Sequence, residues 1–571
     1  MHMIKILSID AVRAVEAAAD AAGFSYDLMM ENAGLAVARR AVFVLKQLPN
    51  PESSAVTVLV GAGKNGGDGL VAARLIAQHA PAQVRAYLLK KLPDDDKHLQ
   101  AARAAGIFIA DAEDDQRFRV LHNMVASANI VIDALFGVGV ELPLRDEAAK
   151  LLRAANAAIH GSERENEDLE GEIIQPTRPD TVTTRPRPYV LAVDCPSGLD
   201  CDTGMVDKHT LVADETVTFI AVKPGLLTFP GAAHVGALTV ATLAIPENTD
   251  ALKTEPRFFV DAAYARAFVP ARSDDSHKYS YGKLLVVGGS VNYSGAAGMS
   301  AKAAYRSGVG LVTVGAPAPV TTILAAHLLE ATWVLLPHDM GVLSAAAAPI
   351  IREEAAKVDA LLLGPGINRE KPTHDLFKAF FTESAKVGVK NPIGFVVSKA
   401  SDAQSPAQTM PPMVIDADGL NILSDIDDWW TMLPADTVLT PHAGEFARLA
   451  KMERDDVEKQ RWSLVVEKAR SWGCVVLLKG AHTLVAAPDG RTAALPFKTS
   501  SLATAGTGDI LAGLIAGLIA QKVKPFEAAV LGGYVQGLAG LEAKSRIGSD
   551  HAVMAGDVLD AIPAALAALT A

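Results

Sequence analysis

Twice in this sequence a short run of apolar, largely branched residues meets a glycine-rich turn and then a helix-like stretch. The first run is 56–60 (VTVLV), followed by Gly61-Ala62-Gly63-Lys64-Asn65-Gly66-Gly67-Asp68-Gly69 and LVAARLIAQHA. The second is 284–287 (LLVV), followed by Gly288-Gly289-Ser290, a short loop and AAGMSAKAAYRSG. A strand without polar alternation is buried on both faces, and a parallel sheet covered by helices provides that burial. Further apolar strand candidates lie at 130–132, 190–193, 217–220, 311–314, 360–363, 413–415 and 475–478, with helical patterns between many of them. An α/β protein with a doubly wound sheet in each half is predicted.

A chain of 571 residues is too long for one hydrophobic core. The stretch IPENTDALKTEP is polar and proline-punctuated, which places the boundary near 250–260 and gives domains of 1–250 and 260–571. Residues 161–188, rich in Glu, Arg, Thr and Pro, read as an irregular insertion in the first domain, and 391–412 as a loop insertion in the second. The net charge of −12 is spread along the chain and argues against nucleic acid or an anionic membrane as main partner, while allowing a local basic pocket for phosphates. Cys195, Cys201 and Cys474 form no CxxC pair, so they read as buried free thiols in a reducing cytoplasm. Asp10, Arg13, Glu16 and Asp20 interrupt the N-terminal region before any run of signal-peptide length. The longest apolar stretch, 510–520, contains two glycines and falls short of the ~18 residues of a membrane span. A soluble, unexported protein is expected.

In the first half, five glycines in nine residues follow a strand and open a helix, where backbone N–H groups and the helix N-terminus favour an anion. A dinucleotide phosphate is the expected tenant, although the spacing is not the Rossmann fingerprint. Two more loops follow predicted strands: Asp133-Ala134-Leu135-Phe136-Gly137-Val138-Gly139 and Asp194-Cys195-Pro196-Ser197-Gly198-Leu199-Asp200. Any one of these aspartates could be a turn former or helix cap. Three loops converging on the ligand-binding edge of a parallel sheet favour a site.

Together with Leu28-Met29-Met30-Glu31-Asn32-Ala33-Gly34, these loops resemble the NAD(P)H-hydrate epimerase family over most of residues 1–245. The resemblance implies a Rossmann-like domain and a potassium ion held by Asn65, Asp133 and Ser197; oxygen ligands suit a hard cation. It also implies that the hydrated dinucleotide (NADHX or NADPHX) contacts Lys64, Asn65, Gly66, Gly67 and Asp68. Gly137, Val138, Gly139, Val140, Glu141, Leu142 and Pro143 are implied contacts too, as is Asp194. Asp194 is the candidate acid–base group for the hydrated ring carbon. Lys64 stands where the family usually has asparagine, which predicts altered affinity rather than lost activity.

In the second half, Leu502-Ala503-Thr504-Ala505-Gly506-Thr507-Gly508-Asp509 leads into ILAGLIAGLIA. Gly506, Thr507 and Gly508 would present N–H groups at a helix start. Asp509 is either a favourable first-turn carboxylate or a base that accepts a hydroxyl proton as a phosphoryl group arrives. A GTGD run before a helix resembles the ribokinase-like superfamily. Ser276-His277-Lys278, Gly288-Gly289-Ser290, Gly364-Pro365-Gly366, Asp416-Ala417-Asp418, Thr440-Pro441-His442-Ala443-Gly444-Glu445-Phe446 and Leu478-Lys479-Gly480-Ala481-His482-Thr483 narrow the resemblance to NAD(P)H-hydrate dehydratases over roughly 270–560. That likeness implies an adenine nucleotide, ADP or ATP, on Lys479, Gly480, Ala481, His482, Thr483 and Gly508. It implies that Ala296, Gly366, His442 and Asp509 meet the hydrated substrate, and that the protein is a homo-oligomer. Magnesium is expected wherever nucleotide phosphates are handled. His442 and Glu445 lack a third ligand nearby, so a substrate-facing histidine is preferred to a metal site. Lys498-Thr499-Ser500-Ser501 replaces the family's usual Gly-Asn pair, where serine can still donate to a phosphate.

The reading is a bifunctional repair enzyme: an epimerase for R and S hydrates fused to a dehydratase that consumes ADP or ATP. The alternative is a small-molecule kinase fused to a non-catalytic binding domain, since a fold alone does not assign catalysis.

Overall fold

The computed structural model describes residues 3–164, 187–245, 249–382 and 410–571. Most of the expected insertions at 161–188 and 391–412 lies outside the described residues. Contacts divide the chain into two units, Ile4–Glu255 and, in the main, Pro256–Ala571.

In the first unit the apolar runs become β1 (Ala55–Val60), β4 (Ile130–Ala134) and β5 (Tyr189–Val193). Less uniformly apolar segments supply β2 (Gln83–Leu88), β3 (Phe108–Asp111), β6 (Glu215–Phe219) and β7 (Ala237–Ala241). The sheet order is β3-β2-β1-β4-β5-β6-β7, with every pairing parallel. Strand β6 starts and ends earlier than the 217–220 expected; Ile220 already has a φ of +67° and leaves the strand. Side chains alternate between two cores. Val56, Val58 and Val60 pack with α1 (Ile9–Ala21), α2 (Tyr26–Leu45) and α3 (Lys64–His79). Leu59 and Val131 pack with α4 (Arg119–Ala126) and α5 (Asp146–Arg164) on the other face. Helices on both faces explain why β1 and β4 carry no polar alternation.

The strand order runs one way from β1 to β2 and β3, and the other way from β4 onward. That reversal opens a crevice beyond the carboxyl ends of β1 and β4. Register aligns Val60 with Ala134 and Asp133 with Ala192, so the loops after β1, β4 and β5 leave the sheet together.

The second unit contains β8 (Arg257–Phe259), β9 (Lys283–Val287), β10 (Leu311–Ala316), β11 (Thr332–Leu335) and β12 (Ala360–Leu363). It continues with β13 (Met413–Ile415), β14 (Thr437–Leu439), β15 (Val475–Leu478), β16 (Leu484–Ala486) and β17 (Thr492–Ala494). Their order is β8-β17-β16-β15-β14-β13-β12-β9-β10-β11. Pairing is parallel from β15 to β11, and β16 is antiparallel to both its neighbours. Here the order reverses between β9 and β12. The apolar run at 510–520 lies in α6 (Thr507–Ala520), buried through almost its whole length. A helix that is apolar all round belongs in a core. Among the described residues no helix is long and apolar enough to cross a membrane. All three cysteines are buried and free.

Candidate active sites

Beyond the carboxyl ends of β1, β4 and β5 lies a cavity of about 810 Å³. Its floor depends on glycines in a way the sequence did not announce. Helix α3 begins at Lys64, inside the glycine cluster, so Gly66, Gly67 and Gly69 are helical rather than part of a turn. A Cβ on Gly66 would sit 1.9 Å from the Gly61 carbonyl oxygen. The missing side chain therefore lets the first turn of α3 fold back onto the end of β1. Gly63, the N-cap, stays open, and the free N–H groups of the first turn begin there.

Asp194 follows β5 with a φ of +64°, an uncommon conformation for a non-glycine residue. Its Oδ1 accepts from Thr218 Oγ1 at 3.1 Å, Phe219 N at 3.1 Å and Lys223 Nζ at 2.5 Å. Lys223 has no exposed surface and spends its other donors on Thr218 Oγ1 (2.9 Å) and the Phe219 carbonyl (3.0 Å). A buried ammonium is tolerated only when paired and fully hydrogen-bonded. Both residues line the cavity, and among the described residues Asp194 Oδ2 has no protein partner. Asp68, in the early turns of α3, also lines it. Burial, with Asp194 and Glu16 as negative neighbours, holds the Asp68 carboxyl well above the usual range, against the pull of Lys64. Lys64 pairs with Glu16 at 3.4 Å and stands 3.8 Å over the Tyr26 ring.

Next to the cavity is a set of oxygens. Asp133 is fully buried; Ser197 donates to it through Oγ (2.6 Å) and N (2.8 Å). Ser197 Oγ also accepts from Phe136 N at 2.9 Å. The Asn65 amide lies beside Gly137, with Oδ1 3.2 Å from where a Cβ would be and a buried Nδ2 that has no partner. Burial raises the Asp133 carboxyl, with the Ser197 hydrogen bonds opposing. Asp133, Ser197 and Asn65 offer carboxylate, hydroxyl and amide oxygens, the chemical type that suits a hard cation, and the Asn65 amide is not held by a hydrogen bond at Nδ2 among the described residues.

The second site lies beyond the carboxyl ends of β9 and β12–β15. Gly506 caps α6 with a φ of +94°, which puts Asp509 in the first turn. Asp416, just after β13, accepts from Thr440 Oγ1 at 2.8 Å and Lys479 Nζ at 2.7 Å through Oδ1. Its Oδ2 is buried without a partner. A Cβ on Gly508 would lie 3.2 Å from Lys479 Nζ and 3.8 Å from Asp416 Oδ2, so this ion pair sits against the glycine turn. Burial and Asp416 push Asp509 up to about 7, against Lys479. Burial also pushes Glu445 up to about 7. Burial opposes the Lys479 charge, but Asp416 and Glu445 outweigh it and raise its pKa.

His442 caps α7 (Ala443–Ala450): its Nδ1 accepts from Gly444 N (3.0 Å) and Glu445 N (3.3 Å), while Glu445 Oε2 accepts from His442 N (2.9 Å). That reciprocal cap makes Nε2 the protonated nitrogen and fixes the ring. Burial and Lys479 lower its pKa, favouring the neutral ring. Among the described residues no cluster of three or more His, Cys, Asp or Glu forms a metal cage.

The chain matches the family model for NAD(P)H-hydrate dehydratase at residues 284–564 and that for the YjeF-related protein N-terminus at 27–225. It is 35% identical to the bifunctional NAD(P)H-hydrate repair enzyme of Moorella thermoacetica over 543 residues, 94% of this chain and 91% of that one. The enzyme of the same name from Salinibacter ruber is also 35% identical, with the same coverage. The chain belongs to the bifunctional NAD(P)H-hydrate repair enzyme family. Among solved structures it is similar to the ADP/ATP-dependent NAD(P)H-hydrate dehydratase from Bacillus subtilis, co-crystallised with ATP and Mg2+ (26% identity, 55% of this chain, 98% of that one, TM-score 0.43).

For a hydrate repair enzyme, the first cavity gathers Lys64, Asn65, Asp68, Gly137, Val138, Gly139, Val140 and Asp194 on its walls; Glu141, Leu142 and Pro143 are not among its lining residues, nor are Gly66 and Gly67. In the second unit Ala296 and Gly366 meet, with a Cβ on Gly366 falling 2.8 Å from that of Ala296. His442 borders a separate groove of about 580 Å³ with Arg448, Lys451 and Arg454. Of the stretch 479–483, His482 turns inward: Nδ1 lies 3.1 Å from the Leu495 carbonyl, and burial lowers its pKa to about 4. Thr483 Oγ1 donates to the Gly480 carbonyl at 2.9 Å. Ser501 is buried and donates to Asp550 at 2.7 Å, which leaves exposed Ser500 as the freer hydroxyl. Sequence reasoning missed Lys223 and gave Asp416 no role. The one available signal for Lys223 was a lone lysine inside the apolar run FIAVKPGLL.

Proposed function

We propose that the first unit interconverts the R and S forms of hydrated NAD(P)H, and that the second returns the S form to NAD(P)H at the expense of ADP or ATP. The observation that carries this is likeness over 94% of the chain to enzymes named bifunctional NAD(P)H-hydrate repair enzymes. The kinase alternative, with a non-catalytic first half, is not favoured, because these relatives span both halves.

In the first unit the hydrated ring enters the cavity and Asp194, held by Lys223, handles the proton at the C6 hydroxyl. Asn65, Asp133 and Ser197 would hold potassium, which supplies positive charge to the buried Asp133 carboxylate. If they do, potassium chloride raises the midpoint of thermal unfolding above that in choline chloride at equal ionic strength. Far-ultraviolet circular dichroism reads the shift, and an equal midpoint in both salts counts against the ion. Asp133→Asn should remove it.

In the second unit Asp509 takes the C6 hydroxyl proton as that oxygen attacks the terminal phosphorus of the nucleotide. The bond to the departing AMP or ADP breaks, and Lys479 with the Gly506–Gly508 amides stabilises the moving charge. The C6–O bond then breaks with phosphate as leaving group, a proton leaves C5, and the C5=C6 double bond of NAD(P)H returns. Ala296, Gly366 and His442 contact the ring, and Lys479, Gly480, Ala481 and Thr483 with Gly508 contact the nucleotide, while the inward-turned His482 supports their loop. Magnesium would come bound to the nucleotide phosphates. Self-association belongs to the same proposal: Leu335 on the edge strand β11, with Leu329 and Met340 near it in sequence, is exposed, and light scattering reads the assembly size.

The test is incubation of the purified chain with separated R and S hydrates and either nucleotide. Both epimers should regain the near-ultraviolet absorbance of NAD(P)H. A stable phosphorylated product without that absorbance would sink the dehydratase reading, and an R hydrate that persists would sink the epimerase.

A further inference from the structure

We propose that Asp68 is the proton donor that works opposite Asp194 in the first cavity, with Lys223 as the positioning residue that fixes Asp194. This rests on the epimerase reading of that cavity. Two carboxyl groups line one chamber, brought there by different elements: Asp68 by the early turns of α3, Asp194 by the end of β5. The approach of Gly66 to the Gly61 carbonyl ties the first of these to the sheet edge.

Their surroundings differ in kind. Asp194 has an ammonium, a hydroxyl and an amide on Oδ1. The Asp68 carboxyl makes no ion pair or hydrogen bond among the described residues. The charged groups it faces are Asp194, Glu16 and Lys64, and Lys64 is itself paired with Glu16. Burial and the two negative neighbours raise the Asp68 carboxyl above its usual range, which favours the protonated form. Asp194 faces Lys223 and Asp68, with the buried thiol of Cys195 next in the chain. Two carboxyl groups in such unlike environments are a standing means of separating acid and base roles.

Epimerisation at C6 needs both. The hydrated carbon bears the hydroxyl and is bonded to ring nitrogen N1. Asp68 gives its proton to the hydroxyl oxygen; the C6–O bond breaks, its electron pair leaves with water, and the N1 lone pair forms N1=C6. Water then adds to the opposite face: a new O–C6 bond forms, the N1=C6 pair returns to N1, and Asp194 takes the surplus proton. Asp68 ends ionised and Asp194 protonated, the state from which the opposite epimer reacts in reverse. Proton exchange with solvent also resets the pair.

The test is Asp68→Asn in the full chain, alongside wild type and Asp68→Glu, with epimer interconversion followed in water enriched in heavy oxygen. Asp68→Asn should lower kcat by ~10²–10⁴-fold. KM should change little, and Asp68→Glu should recover part of the rate. Wild-type kcat should fall as pH rises through the raised pKa of Asp68, because the donor must be protonated, and Asp68→Asn should lack that limb. Each wild-type turnover should place solvent oxygen at C6. An Asp68→Asn enzyme with wild-type kcat, or with only KM raised, overturns the donor role, as does turnover without solvent oxygen. A wild type that never interconverts the epimers overturns the epimerase reading itself, and this proposal with it.

Discussion

Asp509→Asn should lower kcat for dehydration of the S hydrate by ~10²–10⁴-fold, the range for a lost general base. Asparagine keeps the size of the side chain and its first-turn position in α6, so the packing of a buried helix is preserved. What disappears is the group that accepts the hydroxyl proton. Burial and Asp416 place Asp509 at about 7 in the free protein, so wild-type kcat/KM should rise with pH through that value, the base being needed ionised. Asp416→Asn removes a negative neighbour and leaves Lys479 less opposed. Both changes favour the ionised form of Asp509, so the acid limb of kcat/KM should move to lower pH. An Asp509→Asn enzyme that dehydrates at the wild-type rate would leave this aspartate as a helix-terminus carboxylate only. A limb that stayed in place after Asp416→Asn would deny the coupling.

Three of the strands that were legible in sequence share one property. Ala360–Leu363, Met413–Ile415 and Val475–Leu478 are buried at every position, and each is found at the residues where its apolar run predicts it. Gln83–Leu88 was not legible because Arg85 interrupts it. The structure accommodates that guanidinium by hydrogen bonds to Ser127 Oγ, Thr57 Oγ1 and the Met124 carbonyl, partners remote in sequence. Thr437–Leu439, Leu484–Ala486 and Thr492–Ala494 are as short as Met413–Ile415, but threonine or alanine stands in each where that strand is apolar and bulky throughout. The same limit governs the sites. Asp194, Asp416 and Asp509 stand in recognisable loops, but what sets their chemistry is pairing across the fold. Lys223 reaches Asp194 over 29 residues, and Lys479 reaches Asp416 over 63. The glycine cluster also read differently, since a close backbone approach and a flexible turn use the same residue for different reasons.

Lys223→Met should destabilise the first unit by ~3 kcal/mol, the lower end of the range for removing one partner of a buried pair. The lower end applies because Asp194 keeps its donors Thr218 Oγ1 and Phe219 N and lies at a cavity wall, while methionine refills most of the aliphatic space. For a unit of this size that corresponds to a fall of ~6–12 °C in unfolding midpoint. All five tryptophans lie beyond residue 255, so their fluorescence follows the second unit, whereas far-ultraviolet circular dichroism follows both. The dichroism should show an early component that the fluorescence lacks. Epimer interconversion should fall with it at temperatures where the variant is still folded, since the Asp194 carboxylate has lost its fixed orientation. Adding Asp194→Asn to Lys223→Met should recover part of the stability, because a neutral amide needs no ammonium beside it, and should recover none of the activity. That split separates a catalytic pairing from simple packing. If the double variant were as unstable as the sum of the two single ones, or if Lys223→Met unfolded and turned over like wild type, the buried ammonium would have no hold on Asp194.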